Sequence, residues 1–206
     1  MEPARNAIPG GGLPRPRLLI VIASTRPGRV GLPVGAWFRE QAESHGEFDL
    51  DVVDLAELDL PLMDEPNHPR LGQYTREHTK AWSRRVDAAD AVVFVMPEYN
   101  HGYTAPLKNA IDYLAREWRF KPAGFVSYGG VSGGIRAVQG LKPVLAVLKV
   151  VPLPEAVVLP FVHRLLDEEG RLRPDEATAD AARTMLDELA RWVAALRPLR
   201  VSDGPA

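Results

Sequence analysis

The chain has 206 residues, 46% of them hydrophobic and 25% charged, and its 25 Lys and Arg against 27 Asp and Glu leave a formal charge of -2. That length supports one substantial core and no second full-sized domain, the near-neutral balance argues against affinity built on a nucleic-acid backbone, and no window approaches the roughly 20 apolar residues of a membrane span, so the cytoplasm is the expected compartment. Cysteine is absent, which excludes disulfides, thiolate nucleophiles and cysteine-ligated metal, so redox chemistry would need a bound cofactor.

Residues 1–16 are rich in Gly and Pro and read as a tail, with a single domain over residues 17–197 and a short C-terminal tail over 198–206. The continuous aliphatic run Leu18 to Ile22 marks a strand covered on both faces, as in a parallel sheet. Similar runs follow at Asp51 to Leu55, Ala91 to Met96, Gly124 to Tyr128 and, after Pro152 and Pro154, Ala156 to Leu159. Helical spacing of apolar residues places helices at Leu32 to His45, Tyr74 to Ala89, Ala105 to Trp118, Gly134 to Val147 and Asp175 to Leu196. The connection from Ala56 to Gln73, with its prolines, is expected to cross the surface. Strands alternating with helices imply an α/β three-layer sandwich, a five-stranded parallel sheet in the order 2-1-3-4-5.

In such a sheet ligands bind beyond the carboxyl ends of the strands, where the winding reverses, so three loops are candidates. The first, Ala23 to Gly31, leads straight into a helix and carries Ser24, Thr25, Arg26 and Arg29 with Gly28 and Gly31. Hydroxyls, an arginine fork from Arg26 or Arg29 and free helix N–H groups suit a phosphate, although no lysine makes it a triphosphate loop. The second, Pro97 to Thr104, combines the rings of Tyr99 and Tyr103 with the amide of Asn100, suited to a planar heterocycle or simply to a tight turn. It also holds His101, while His45, His68, His78 and His163 show no metal-ligand spacing. The third, Tyr128 to Gly134, contains Gly129, Gly130, Gly133 and Gly134, so its N–H groups can approach a ligand and stabilise negative charge on it.

Taken together, Ser24-Thr25-Arg26, then Pro97-Glu98-Tyr99-Asn100 with Pro106 to Asp112, then Ser127-Tyr128-Gly129-Gly130 resemble the NADPH-dependent FMN reductase family, which is flavodoxin-like. The resemblance spans about Arg17 to Leu196 and implies a tightly bound FMN with NAD(P)H as hydride donor. It implies that Ser24, Arg26 and the backbone of Arg29, Val30 and Gly31 hold the 5′-phosphate. By the same likeness Pro97, Glu98, Tyr99 and Asn100 line the isoalloxazine, and Tyr128, Gly129 and Gly130 approach its pyrimidine edge. It further implies a homodimer or homotetramer with the flavin near a subunit contact, across which Tyr103, Tyr113 and Trp118 could reach. The chain departs from many members in having Ala23 where they have Gly, and in lacking a second Ser or Thr near Arg29 or Val30.

The chemistry then belongs to the flavin N5, with no catalytic acid required of the protein and no Gly-x-Gly-x-x-Gly fingerprint for a second nucleotide. Ping-pong transfer from NAD(P)H to an acceptor such as free flavin, a quinone or an azo compound follows. Two rivals differ in class. Gly130-Val131-Ser132-Gly133-Gly134 fits Gly-x-Ser-x-Gly, with Glu155 and His163 completing a serine hydrolase triad in chain order. A flavodoxin-type electron carrier is the other, although such carriers present strongly acidic docking surfaces.

Overall fold

The computed structural model describes residues 15–202, so nearly all of the expected N-terminal tail and residues 203–206 lie outside the described residues. Five parallel strands, β1 (Arg17–Ile22), β2 (Asp49–Asp54), β3 (Ala91–Pro97), β4 (Pro122–Tyr128) and β5 (Val151–Leu159), form a sheet in the order β2-β1-β3-β4-β5. Strand side chains alternate between two cores. Leu18, Ile20 and Ile22 with Val93 and Val95 pack under helices α1 (Gly31–His45) and α6 (Glu176–Ser202), against Phe38, Met185 and Leu189. Leu19 and Val21 with Phe94 and Phe125 face α3 (Glu77–Asp87), α4 (Ala105–Asp112) and α5 (Ile135–Val147), against Trp82, Ile111 and Leu141. A one-turn helix, α2 (Leu55–Leu58), follows β2. Among the described residues no helix is long and apolar enough to cross a membrane.

Several boundaries differ from the sequence reading for identifiable reasons. β5 begins at Val151 and includes Pro152 and Pro154, because it pairs with β4 alone and its outer edge needs no N–H donors. The helix expected from Tyr74 starts at Glu77, since the Glu65 carboxylate takes the N–H groups of Thr75 (2.8 Å) and Arg76 (2.9 Å) and holds them out of the helix. Burial opposes it, but those bonds hold the Glu65 carboxyl down at about 2. Helix α4 stops at Asp112, after which a turn swings Trp118 into the core, where its Nε1 donates to the Ile111 carbonyl at 3.0 Å. At the other end of the chain α6 runs past Arg197 to Ser202, its last turn tied to the sheet by Arg200 on Asp90 at 2.8 Å.

The end of the sheet opposite the candidate loops holds a buried cation. Lys121 is 1% exposed, and its Nζ donates to the carbonyls of Ala89 (2.6 Å) and Asp87 (3.2 Å). Burial, aided by the charge of Arg200, brings its ammonium down to about 7 from an ordinary 10.5. Between those two values the unfolded chain binds a proton that the native state does not, so native stability rises with pH across that window and is flat below it. Wild-type protein is therefore expected to gain on Lys121→Met by about 1.4 kcal/mol per pH unit between pH 7 and 10 in urea unfolding. A difference between the two that does not vary with pH would show that Lys121 stays charged in the fold.

Candidate active site

The carboxyl ends of β1, β3, β4 and β5 open into one cavity of about 300 Å³, the size at which small-ligand pockets begin. Of the residues singled out in the sequence, Ser24, Arg26, Arg29, Val30, Pro97, Glu98, Tyr99, Tyr128, Gly129 and Gly130 line it. Gly31 and Asn100 do not. Phe161, Val162, His163 and Arg164 complete the wall from the turn after β5. That turn lies outside the three candidate loops, although the strand-end rule applies to β5 as it does to β1, β3 and β4.

At one end of the cavity the first loop delivers the start of α1. Val30 is the residue capping this helix, and its side chain makes no capping bond; no acidic residue lies in the first turn. The free N–H groups and the positive end of the helix dipole are therefore available to an anion. The Arg26 carbonyl accepts the Arg29 N–H at 3.1 Å, while its exposed guanidinium makes no hydrogen bond or ion pair to a described residue. Arg29 is used differently. Its guanidinium pairs with Asp54 at the end of β2, the two side chains being 14% and 6% exposed, and its buried Nε has no partner among the described residues.

The hydroxyls of this corner are closely grouped. Ser24 Oγ shares a hydrogen bond of 2.8 Å with Tyr99 Oη. Tyr128, 4% exposed, aims its Oη at the helix start, where a Cβ on Gly31 would stand 2.8 Å from it, and that Oη is buried with no hydrogen-bond partner among the described residues. Burial pushes the Tyr128 phenol well above its usual range, so it keeps its proton and can donate.

The second loop is a tight two-residue turn. Tyr99 and Gly102 exchange backbone bonds of 2.9 Å across Asn100 and His101, both with positive φ, a geometry Asn favours. Asn100 stands at the exposed tip, and Tyr99, 41% exposed, presents its ring at the cavity. The Glu98 carboxylate turns away, accepting from Ser132 Oγ (2.9 Å), Arg136 N–H (3.1 Å) and Arg136 Nε (2.6 Å). Burial opposes it, but those donors hold the Glu98 carboxyl below its ordinary range. Glu98 thus ties the second loop to the third and to α5, and Thr104 ties it to the first by donating to the Ala23 carbonyl at 2.9 Å.

In the third loop Gly129 spends its N–H on the Leu159 carbonyl, while the carbonyls of Gly129 and Gly130 accept from Val162 (3.2 Å) and Phe161 (3.0 Å). The N–H groups of Gly130 and Val131 donate to no described residue, and a Cβ on Gly130 would meet nothing within 4 Å. Phe161, at φ 48° and 42% exposed, carries Arg164 over its ring at 4.6 Å.

Two expectations are corrected here. Tyr113 and Trp118 are fully buried within the chain, Tyr113 Oη donating to Asp64 at 2.9 Å, so neither is placed to reach a neighbouring copy. Burial and that bond push the Tyr113 phenol up to about 12. Nor does the hydrolase arrangement form: Ser132 gives its hydroxyl to Glu98, and no hydrogen bond joins it to His163 or Glu155 among the described residues.

The residues present fit FMN. An uncapped helix start, an unengaged arginine and an orphaned buried hydroxyl suit a phosphate, and a ring-edged slot with free N–H groups suits a flat, polar-edged tricycle. The profile of the NADPH-dependent FMN reductase family matches residues 16–164. The chain belongs to this family. It is 44% identical over 149 residues to an NAD(P)H-dependent FMN reductase of Schizosaccharomyces pombe, covering 70% of this chain and 74% of that protein. It is 34% identical over 131 residues to an NADPH azoreductase of Bacillus sp., covering 63% and 70%. Among solved structures it is similar to FerB, a flavoenzyme NAD(P)H:(acceptor) oxidoreductase from Paracoccus denitrificans, with TM-score 0.69 and 26% identity over 88% of this chain and 98% of that one. These relatives favour neither the hydrolase nor the electron-carrier reading.

Proposed function

We propose that this protein is an NAD(P)H-dependent FMN reductase that holds FMN in the cavity at the sheet's carboxyl rim and passes electrons to a small planar acceptor. Free flavin, quinones and azo compounds are the acceptors that suit it, the last in line with the Bacillus azoreductase. The observation that carries the reading is one cavity joining an uncapped helix start and the unengaged Arg26 to a slot edged by Tyr99 and Gly130.

In this reading Ser24, Arg26 and the N–H groups of Val30 and Gly31 hold the phosphate, with Arg29 stiffening the loop through Asp54. Pro97, the Glu98 backbone and Tyr99 line the ring system, with Asn100 at the turn beside them. The free N–H of Gly130, next to Gly129 and Tyr128, faces the pyrimidine edge and supports negative charge there. FMN, when bound, supplies the N5 that accepts hydride and from which the acceptor is reduced. Tyr99 and Phe161 offer flat, exposed surfaces at the mouth for a nicotinamide and then for the acceptor, which supports ping-pong turnover over one shared face. Exposed Val131 and Ile135 beside the mouth support a homodimer or homotetramer, and dependence on NAD(P)H, a reductant kept inside cells, supports a cytoplasmic location.

The purified protein is expected to absorb in the blue and near ultraviolet, to bleach rapidly with NADPH alone, and to recover on adding a quinone, with parallel double-reciprocal lines. A colourless preparation that takes up no FMN overturns the reading. Colour that bleaches only with a partner protein converts it to an electron carrier.

A further inference from the structure

The start of α1 lacks a hydroxyl where helix starts commonly have one. Ser, Thr, Asp or Asn is preferred at that position, but here it is Val30, whose side chain can neither cap the helix nor donate to an anion held there. Of the first loop's hydroxyls only Ser24 lines the cavity, and it shares a hydrogen bond with Tyr99. No second hydroxyl of this loop is therefore placed to serve an anion at this corner. The chain nevertheless places a hydroxyl there from a different strand: Tyr128, the last residue of β4, extends beneath the loop, and its Oη reaches the space that a Gly31 side chain would otherwise fill.

Burying a hydroxyl with nothing to bond costs on the order of 1–3 kcal/mol, so such a group in a packed site calls for a partner. Tyr128 lines the cavity with Ser24, Arg26 and Arg29, and its Oη is buried, has no hydrogen-bond partner among the described residues and keeps its proton. A neutral donor beside two guanidiniums and a helix start is suited to a phosphate oxygen, since a hydrogen bond to a charged acceptor is about twice as strong as one to a neutral group. We propose that the Tyr128 hydroxyl donates to the 5′-phosphate of FMN, supplying from β4 the contact that Val30 cannot make, and that Gly31 is glycine because the hydroxyl occupies its side-chain space. Tyr128 is then a phosphate ligand and sets the preference for FMN over riboflavin. The family resemblance instead implies a place at the pyrimidine edge, a role its backbone neighbours Gly129 and Gly130 retain.

This rests on FMN binding as proposed above, and the test separates the two. Flavin is removed, and the apoprotein is titrated with FMN and with riboflavin by quenching of flavin fluorescence. Wild-type protein is expected to bind both, FMN more tightly. Tyr128→Phe is expected to weaken FMN by about ten-fold or more with riboflavin affinity unchanged, and adding Val30→Thr to that variant is expected to restore part of the loss. Gly31→Ala, which keeps the phenol but displaces its hydroxyl, is expected to show the same FMN-selective loss. Equal weakening of both flavins in Tyr128→Phe, or unchanged FMN affinity, overturns the role of Tyr128 while leaving FMN binding intact. Wild-type protein that binds neither flavin overturns the FMN reading itself, and this proposal with it.

Discussion

Asp54→Ala is expected to cost about 3–5 kcal/mol of folding stability, read as a drop in the urea midpoint at unchanged m-value. Asp54 is the partner of the Arg29 guanidinium, both side chains lying largely out of water, so its removal leaves a buried cation with an Nε that already lacks a partner. The other carboxylate oxygen accepts the Ala56 N–H at 3.0 Å and caps α2, so that contact is lost as well. Most of the cost comes from stranding the charge, because a buried pair as such contributes little net stability. Pairing the change with Arg29→Met is therefore expected to recover much of the loss. A single-variant cost below about 1 kcal/mol would mean that water screens the pair as it does at a surface. FMN affinity should fall as well, since the backbone of Arg29, Val30 and Gly31 is held in place through this pair.

Gly134→Ala is expected to cost at least about 3 kcal/mol and to empty the site of flavin. Gly134 caps the start of α5 at φ 89°, and a Cβ there would lie 2.9 Å from both Ser127 Cβ and Tyr128 N and 3.1 Å from Tyr128 O. Two of those atoms are strand backbone and cannot move aside without pulling β4 and the Gly129-Gly130 loop with them. Gly28→Ala is the control. Its φ of 68° is similarly left-handed, but a Cβ there meets nothing within 4 Å, so only the backbone penalty of about 1–2 kcal/mol applies. Equal losses in the two variants would show that the close approach of α5 to β4 contributes nothing.

Much of the architecture can be read directly from the residues. Runs such as Leu18 to Ile22 and Ala91 to Met96 are apolar on both sides because helices cover both faces of a parallel sheet, and the observed strand order is the expected one. The boundaries read less well where a distant group intervenes: Glu65 decides where α3 starts, and an unpaired edge lets β5 absorb two prolines. The same limit holds in the site. That Ser24, Pro97 and Gly129 share a rim follows from local motifs together with the strand-end rule. That Phe161 and Val162 join them follows from their backbone bonds to Gly130 and Gly129, which no local pattern near Phe161 announces.

Sequence by itself therefore determined the layers, the strand order and the loops that meet at one end of the sheet, because burial and periodicity are local properties of each segment. Tertiary structure decided what each polar side chain does there. Arg29 and Arg26 look interchangeable along the chain, yet one is taken by Asp54 and the other is left for an anion; Glu98 faces Arg136 and Ser132, and Tyr128 faces the start of α1. A long polar side chain takes the lowest-energy partner within reach, and which partners lie within reach is set only when separate strands have been brought side by side.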